Sequence, residues 1–330
     1  MPSRAFCSDE SQGYPIILIC KHFGTFPFNH GLVGGVVATD RHGPHAEHGK
    51  DMVIIQASHV GYDPDNAQFG VYRRLCTEHS DISSSCGKID AVLKWYQSEY
   101  LFAQDNILID KRGDDYFIVI DNQLLNMQRE DGLFLHLEKL IEKKGSQIVT
   151  EESHSTSKCF RASDDIRALY TDLKDKQTIG KNLLPEFFYY KKEIAKDVEG
   201  HSRLEHNLFD VMPWIVASEA PLLDAAKVNT QVEFDRAFRT IVKEKGYQGK
   251  KIVYIAGLNI DISPQQDQIF PLTKFVPWAA FIKNEDGSQM IIEQDELFAI
   301  LKEQSKENPD QIDMEEAILV MENVKEIKIF

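Results

Sequence analysis

Two periods of apolar residues divide this chain. MVIIQA (52–57) and KIVYIAGLNIDI (251–262) are continuous, β-branched runs of the kind that form strands buried on both faces. DYFIVI (115–120) and MIIEQ (290–294) repeat that pattern in shorter form. Elsewhere the spacing lengthens. Ile89, Val92, Leu93, Tyr96 and Tyr100 recur every three or four positions and predict a helix fed by the loop SSSCG. Lysine-ended LFLHLEKLIEKK (133–144), DDIRALYTDLKD (164–175), VEFDRAFRTIVKEKG (232–246) and ELFAILKEQ (296–304) predict further helices. PIILICKHF (15–23) fits a strand, or equally a helix with proline in its first turn. Residues 28–51, rich in Gly and His and without periodicity, read as a long loop near a functional region. SHVGYDPDN follows the strand at 52–57 with a dense set of turn residues. Positions 176–225 mix helical pattern with interruptions.

Strands separated by helices predict an α/β fold with a mixed or mostly parallel central sheet flanked by helices. Neither an internal repeat nor a low-complexity linker forces a second domain. The expected organisation is one domain over residues 1–284, with residues 285–330 as an extension packed on it.

Charge narrows the partners. The chain has 330 residues and a formal net charge of -15, which argues against nucleic acid and against anionic membranes. No run of 18 apolar residues predicts a membrane span, and the first residues lack the apolar core of a signal peptide. Five cysteines without paired spacing fit a reducing compartment, so the expected location is the cytoplasm. The glycines of GLVGG do not have dinucleotide-binding spacing, and no phosphate-binding loop, nucleophile elbow or C-x-x-C pair is present.

Chemistry is concentrated near the start. Seven of the eleven histidines (22, 30, 42, 45, 48, 59 and 79) and four of the five cysteines (7, 20, 76 and 86) fall in the first 86 residues. Cys7, His59 and Cys86 are candidate metal ligands, because thiolate and imidazole suit a zinc site that keeps one position open. His59 is expected just past the C-terminal end of the 52–57 strand, where α/β sheets place ligand-binding groups. Cys86 precedes a predicted helix, whose free amides favour a thiolate. Each residue has an ordinary alternative: Cys7 and Cys86 as buried thiols, His59 as a satisfied strand-end histidine, and Asp9 as a helix cap.

The strings CSDE, HFGTF, GLVGG, ASHVG and RRLCTEHSDISSSCG, with KIVYIAGLNIDISPQQDQIFPLTKF later, resemble the limiting-CO2-inducible B/C proteins, a β-type carbonic anhydrase family. The resemblance spans roughly residues 7–280 and implies a β-carbonic-anhydrase-like fold and a homodimer. It implies Zn²⁺ held by Cys7, His59 and Cys86, with CO2 and bicarbonate as small-molecule substrates. Zinc-activated water is then the expected nucleophile. The resemblance further implies that Asp9 pairs with Arg73 or Arg74, with Arg74 favoured, and orients the nucleophile or blocks the metal. His22, His42, His45 and His48 are candidate proton shuttles. GPHAEH is rearranged relative to the family string, and Cys76 stands where a small residue is expected. Two other readings remain open here: a catalytically silent zinc scaffold or inorganic-carbon regulator, and a zinc hydrolase or lyase acting on another small electrophile such as carbon disulfide.

Overall fold

The computed structural model describes residues 1–38, 51–74, 82–145, 147–197, 200–264 and 272–307. Their contacts gather into two compact units. One joins Met1–Asp90, Lys196–Leu208 and the chain from Leu222 onward; the other joins Ala91–Ala195 and Phe209–Pro221.

The first unit is built on a mixed sheet. Its strands run in the order Gln289–Ile292, Leu272–Lys283, Ile252–Ile262, Met52–Asp63, Pro2–Phe6 and Phe28–Asn29, and Gln68–Phe69 pairs with the central strand. The central strand is parallel to Pro2–Phe6 on one side and to Ile252–Ile262 on the other. Leu272–Lys283 and Gln289–Ile292 continue the sheet antiparallel. This is the α/β class expected from the sequence.

Helices cover both faces. On one, Ala5, Ile54, Tyr254 and Phe281 pack with Phe234, Ala237 and Ile241 of the long helix Pro221–Lys243. On the other, Phe6 and Ala57 pack with Ile19, supported by Ile16 and Phe275. Burial of each large aliphatic or aromatic side chain in these layers stabilises by about 1.5–3 kcal/mol.

PIILICKHF lies within a helix, Gly13–Phe23. Gly24, at φ 67°, returns its N–H to the Cys20 carbonyl and ends that helix in the left-handed conformation.

Three elements differ from expectation. The strand starting at Met52 does not stop at residue 57 but runs to Asp63, so His59 sits inside it. Parallel pairing with Ile252–Ile262, through to Tyr62, outweighs the turn preference of SHVGYDPDN. The segment 133–144 is not one helix. Leu133, Phe134 and Leu135 form a buried strand paired with Phe188–Lys191, and only Leu137–Leu140 is helical. The helix expected over 164–175 is confined to Asp164–Leu169.

The second unit carries an antiparallel sheet in the order Thr150–Ser153, Ser157–Arg161, Asp115–Asp121, Ile107–Arg112, Gln177–Thr178. The helix Gly87–Asp105 begins in the first unit and continues into this one. Its predicted face (Ile89, Val92, Leu93, Tyr96, Tyr100) is buried throughout. Beyond residue 285, Gln289–Ile292 and the helix Gln294–Glu307 belong to the first unit, where Ile292 and Leu297 pack on Ala280. Among the described residues no helix is long and apolar enough to cross a membrane.

Candidate metal centre

Three separate segments deliver the three candidate ligands. Cys7 directly follows the strand Pro2–Phe6, and the register Phe6 to Ala57 brings it level with the middle of the central strand. His59 is in that strand, opposite Asn259. Cys86 arrives on the segment 82–86, which backbone bonds dock on the central strand. Gly61 N donates to Ser85 O at 2.9 Å, Gly70 N to Gly61 O at 2.8 Å, and Ser85 N to Gly70 O at 3.1 Å. A Cβ at Gly61 would lie 2.3 Å from the Val71 carbonyl oxygen, so this close docking requires glycine.

The result is a compact, buried donor set. The ligating atoms of Cys7, His59 and Cys86 all lie within 4.8 Å of one another. Their exposures are 2%, 0% and 0%. The two Sγ atoms are 3.7 Å apart. That matches the edge of roughly 3.8 Å between thiolates on one tetrahedral metal ion with metal–sulfur bonds of about 2.3 Å.

Asp261 prepares the imidazole. Its Oδ2 lies 2.7 Å from His59 Nδ1. The same carboxylate accepts from Ser11 Oγ at 2.8 Å, Gln12 Nε2 at 2.9 Å and Thr273 Oγ1 at 3.2 Å. Asn259 Nδ2 in turn holds the Gln12 side-chain oxygen at 2.7 Å. With Asp261 accepting at Nδ1, a neutral His59 ring would keep its proton there and leave Nε2 as the ligand atom. His59 Nε2 is buried and has no hydrogen-bond partner. An unpartnered buried ring nitrogen beside two thiols is a donor set that could hold a metal ion.

The charges follow from this crowding. The hydrogen bond from Cys86 holds the Cys7 thiol down to about 4, against burial, and His59 and the Gly34 N–H reinforce it. Gly34 N donates to Cys7 Sγ at 3.2 Å. The same sulfur–sulfur bond, with burial, pushes Cys86 well up. Burial acts to lower the His59 pKa, but the Cys86 charge and the Asp261 bond outweigh it, and the imidazole lies well above its ordinary value.

Asp9 lies at the rim. It caps the short turn Glu10–Gln12, its Oδ1 accepting from Ser11 N at 3.1 Å, so the helix-cap role open to it is realised. Burial raises its pKa. Arg74 Nη2 approaches Asp9 Oδ1 at 4.0 Å, while its Nε and Nη1 make short contacts with Glu10 and Ser83. Arg73 turns elsewhere, to Asp65 at 3.1 Å and Asp63 at 3.9 Å. Of the candidate shuttles, His22 is exposed on the last turn of its helix. His42, His45 and His48, like Cys76, lie outside the described residues.

Asp261, Ser11 and Gln12 are neighbours of this cluster that sequence reasoning did not single out. A signal was present. Asn259 and Asp261 are polar at alternate positions of an otherwise apolar strand, and so face the same side.

No family model and no curated protein matches the chain. Solved structures do. The crystal structure of PtLCIB4, described as a homolog of the limiting CO2-inducible protein LCIB, is 12% identical; the match covers 88% of this chain and 84% of that one, with a TM-score of 0.46. The crystal structure of limiting CO2-inducible protein LCIB is 13% identical over 89% of this chain and 83% of that one, with a TM-score of 0.43. The chain is similar to limiting CO2-inducible proteins. These are the same proteins that its strings CSDE, ASHVG and SSSCG resemble.

Proposed function

We propose that this chain is a zinc protein of inorganic-carbon chemistry. In this reading Cys7, His59 and Cys86 bind the ion, and its use on CO2 is restrained by the way Arg74 is held. The observation that carries the metal assignment is the buried, unpartnered His59 Nε2 aimed among two thiols 3.7 Å apart. Two thiolates and a neutral imidazole would balance Zn²⁺, and the donor set suits zinc over harder cations. When bound, zinc supplies the acidified water needed to hydrate CO2.

The remaining work falls to the chain. Asp261 keeps the His59 proton on Nδ1 and fixes the ring. The Gly34 N–H stabilises charge on Cys7. Asp9, at the rim, would accept a hydrogen bond from the reacting water if Arg74 held its carboxylate aside. The resemblance to limiting-CO2-inducible proteins supports CO2 and bicarbonate as the substrate pair.

A silent or regulatory role has its own support. Arg74 makes its short contacts to Glu10 and Ser83, whereas Asp9 is 4.0 Å away. An aspartate without a firm arginine partner would be available as a further ligand to a metal held by Cys7, His59 and Cys86.

The test is metal analysis combined with stopped-flow CO2 hydration on the full chain. We expect one zinc per chain, loss of that zinc in Cys86→Ser, and hydration that is slow but above buffer. Absence of stoichiometric zinc would overturn the metal assignment. A zinc-replete protein hydrating CO2 no faster than buffer between pH 6 and 9 would leave the silent scaffold as the function.

A further inference from the structure

The long helix Pro221–Lys243 buries a face with an unusual composition. Ala225, Asn229, Glu233, Ala237 and Ile241 recur every four residues on it, and Thr230 lies beside them. Asn229 and Glu233 are both 0% exposed, in a stripe whose other members are buried apolar residues. Burial of an amide and a carboxylate there is costly unless their bonds are made.

The bonds are made, and they converge on one loop. Asn229 Nδ2 donates to Gly34 O at 3.0 Å and to Ser58 Oγ at 2.9 Å. Glu233 Oε2 accepts from Val37 N at 2.7 Å. Asn207 Nδ2 ties the two together, reaching Asn229 Oδ1 at 2.8 Å and Glu233 Oε1 at 2.7 Å. The 33–37 loop held in this way contains Gly34, whose N–H donates to Cys7. Ser58 is the residue before His59. Gly35 lies at φ 84°, and a Cβ there would be 2.4 Å from the Ala57 carbonyl oxygen, so the loop is pressed against the central strand.

We propose that Asn229 is a positioning residue of the metal centre, using its two amide hydrogens to hold the Gly34 carbonyl, and so the residue whose N–H meets Cys7, and the Ser58 segment that presents His59. One side chain thereby orients two ligands from outside the cluster. The inference rests on the reading of Cys7, His59 and Cys86 as a metal centre. It adds a residue that touches none of the reacting atoms.

The test measures zinc affinity by chelator competition, and the thiolate-to-cobalt charge-transfer band of the Co²⁺-substituted full chain. Asn229→Leu conserves volume and removes both donors; it is expected to weaken zinc binding by about 10- to 100-fold and to shift the cobalt band. Ser58→Ala removes one of the two bonds and leaves the helix face intact. It is expected to weaken zinc binding by roughly three- to tenfold, a fraction of that outer-shell range, and it decides alone where Asn229→Leu does not fold. Thr230→Val is the control, because Thr230 bonds Gly257 O on another strand. It is expected to keep wild-type affinity and spectrum. Wild-type affinity and spectrum in the first two variants would overturn the proposal, as would equal losses in all three. A wild-type chain without stoichiometric zinc would overturn the metal-centre reading itself, and the positioning role with it.

Discussion

On one side of the candidate metal centre, His59 and Asp261 are 0% and 1% exposed, and the carboxylate is surrounded by Ser11, Gln12 and Thr273 as donors. On the other, the Arg74 guanidinium is 28% exposed and divided among Glu10, Ser83 and Asp9. The contrast is between a committed and a contested arrangement. In the buried network several donors converge on one carboxylate away from competing water, so one geometry dominates. At the rim, water and competing carboxylates make several pairings nearly equal in energy. In the proposed reading the inner side governs whether a metal ion binds, and the outer side what a bound ion would do.

The largest expected effect that separates the two sides is at Asp261. Asp261→Asn turns an amide hydrogen toward donors that need an acceptor. It should lower zinc affinity by about 10- to 100-fold and destabilise the fold, read by chelator competition and thermal melting. Unchanged affinity would mean that the His59 ring is held by packing alone.

At the rim the expected change is smaller and in activity. Glu10→Gln removes the charge competing for Arg74, so CO2 hydration per bound zinc should rise about threefold to tenfold, or about 1 kcal/mol in barrier, at constant zinc affinity. A rate equal to wild type would show that Glu10 does not restrain the site. A fall in zinc affinity would show that rim and interior are not separable.

The smallest effect concerns Asp9 in the metal-free chain. Burial foremost raises its folded pKa above the unfolded value, so its stabilising contribution is present below that unfolded value and lost as pH rises through the folded one. Asp9→Asn keeps a capping oxygen for Ser11 N without the charge. It should raise Tm by about 1 °C at pH 7, and the gain should vanish below the ordinary aspartate range. A gain that persists at low pH would assign the effect to something other than the carboxylate charge.

Much of the inner side was legible in the residues. Cys7, His59 and Cys86 stand out as soft donors in an acidic chain, and the structure brings them together. The face of Gly87–Asp105 was readable because a helix samples one side at fixed spacing. Leu133–Leu135 is ambiguous in sequence because three consecutive apolar residues suit either period, and their partner strand lies more than fifty positions away. The extension of the central strand to Asp63 was hidden for the same reason: its other half is Ile252–Ile262.

By itself the sequence determined the alternation of strands and helices, the donor types and the concentration of chemistry near the start, since these depend on local spacing and side-chain identity. Only the tertiary structure decided that Asp261 would orient His59, that Asn229 would reach Gly34 and Ser58, and that Arg74 would be divided between Glu10, Ser83 and Asp9. Asp261 is 202 positions from His59 and Asn229 is 195 from Gly34. Such pairings are set by strand register and helix docking, which no local preference encodes.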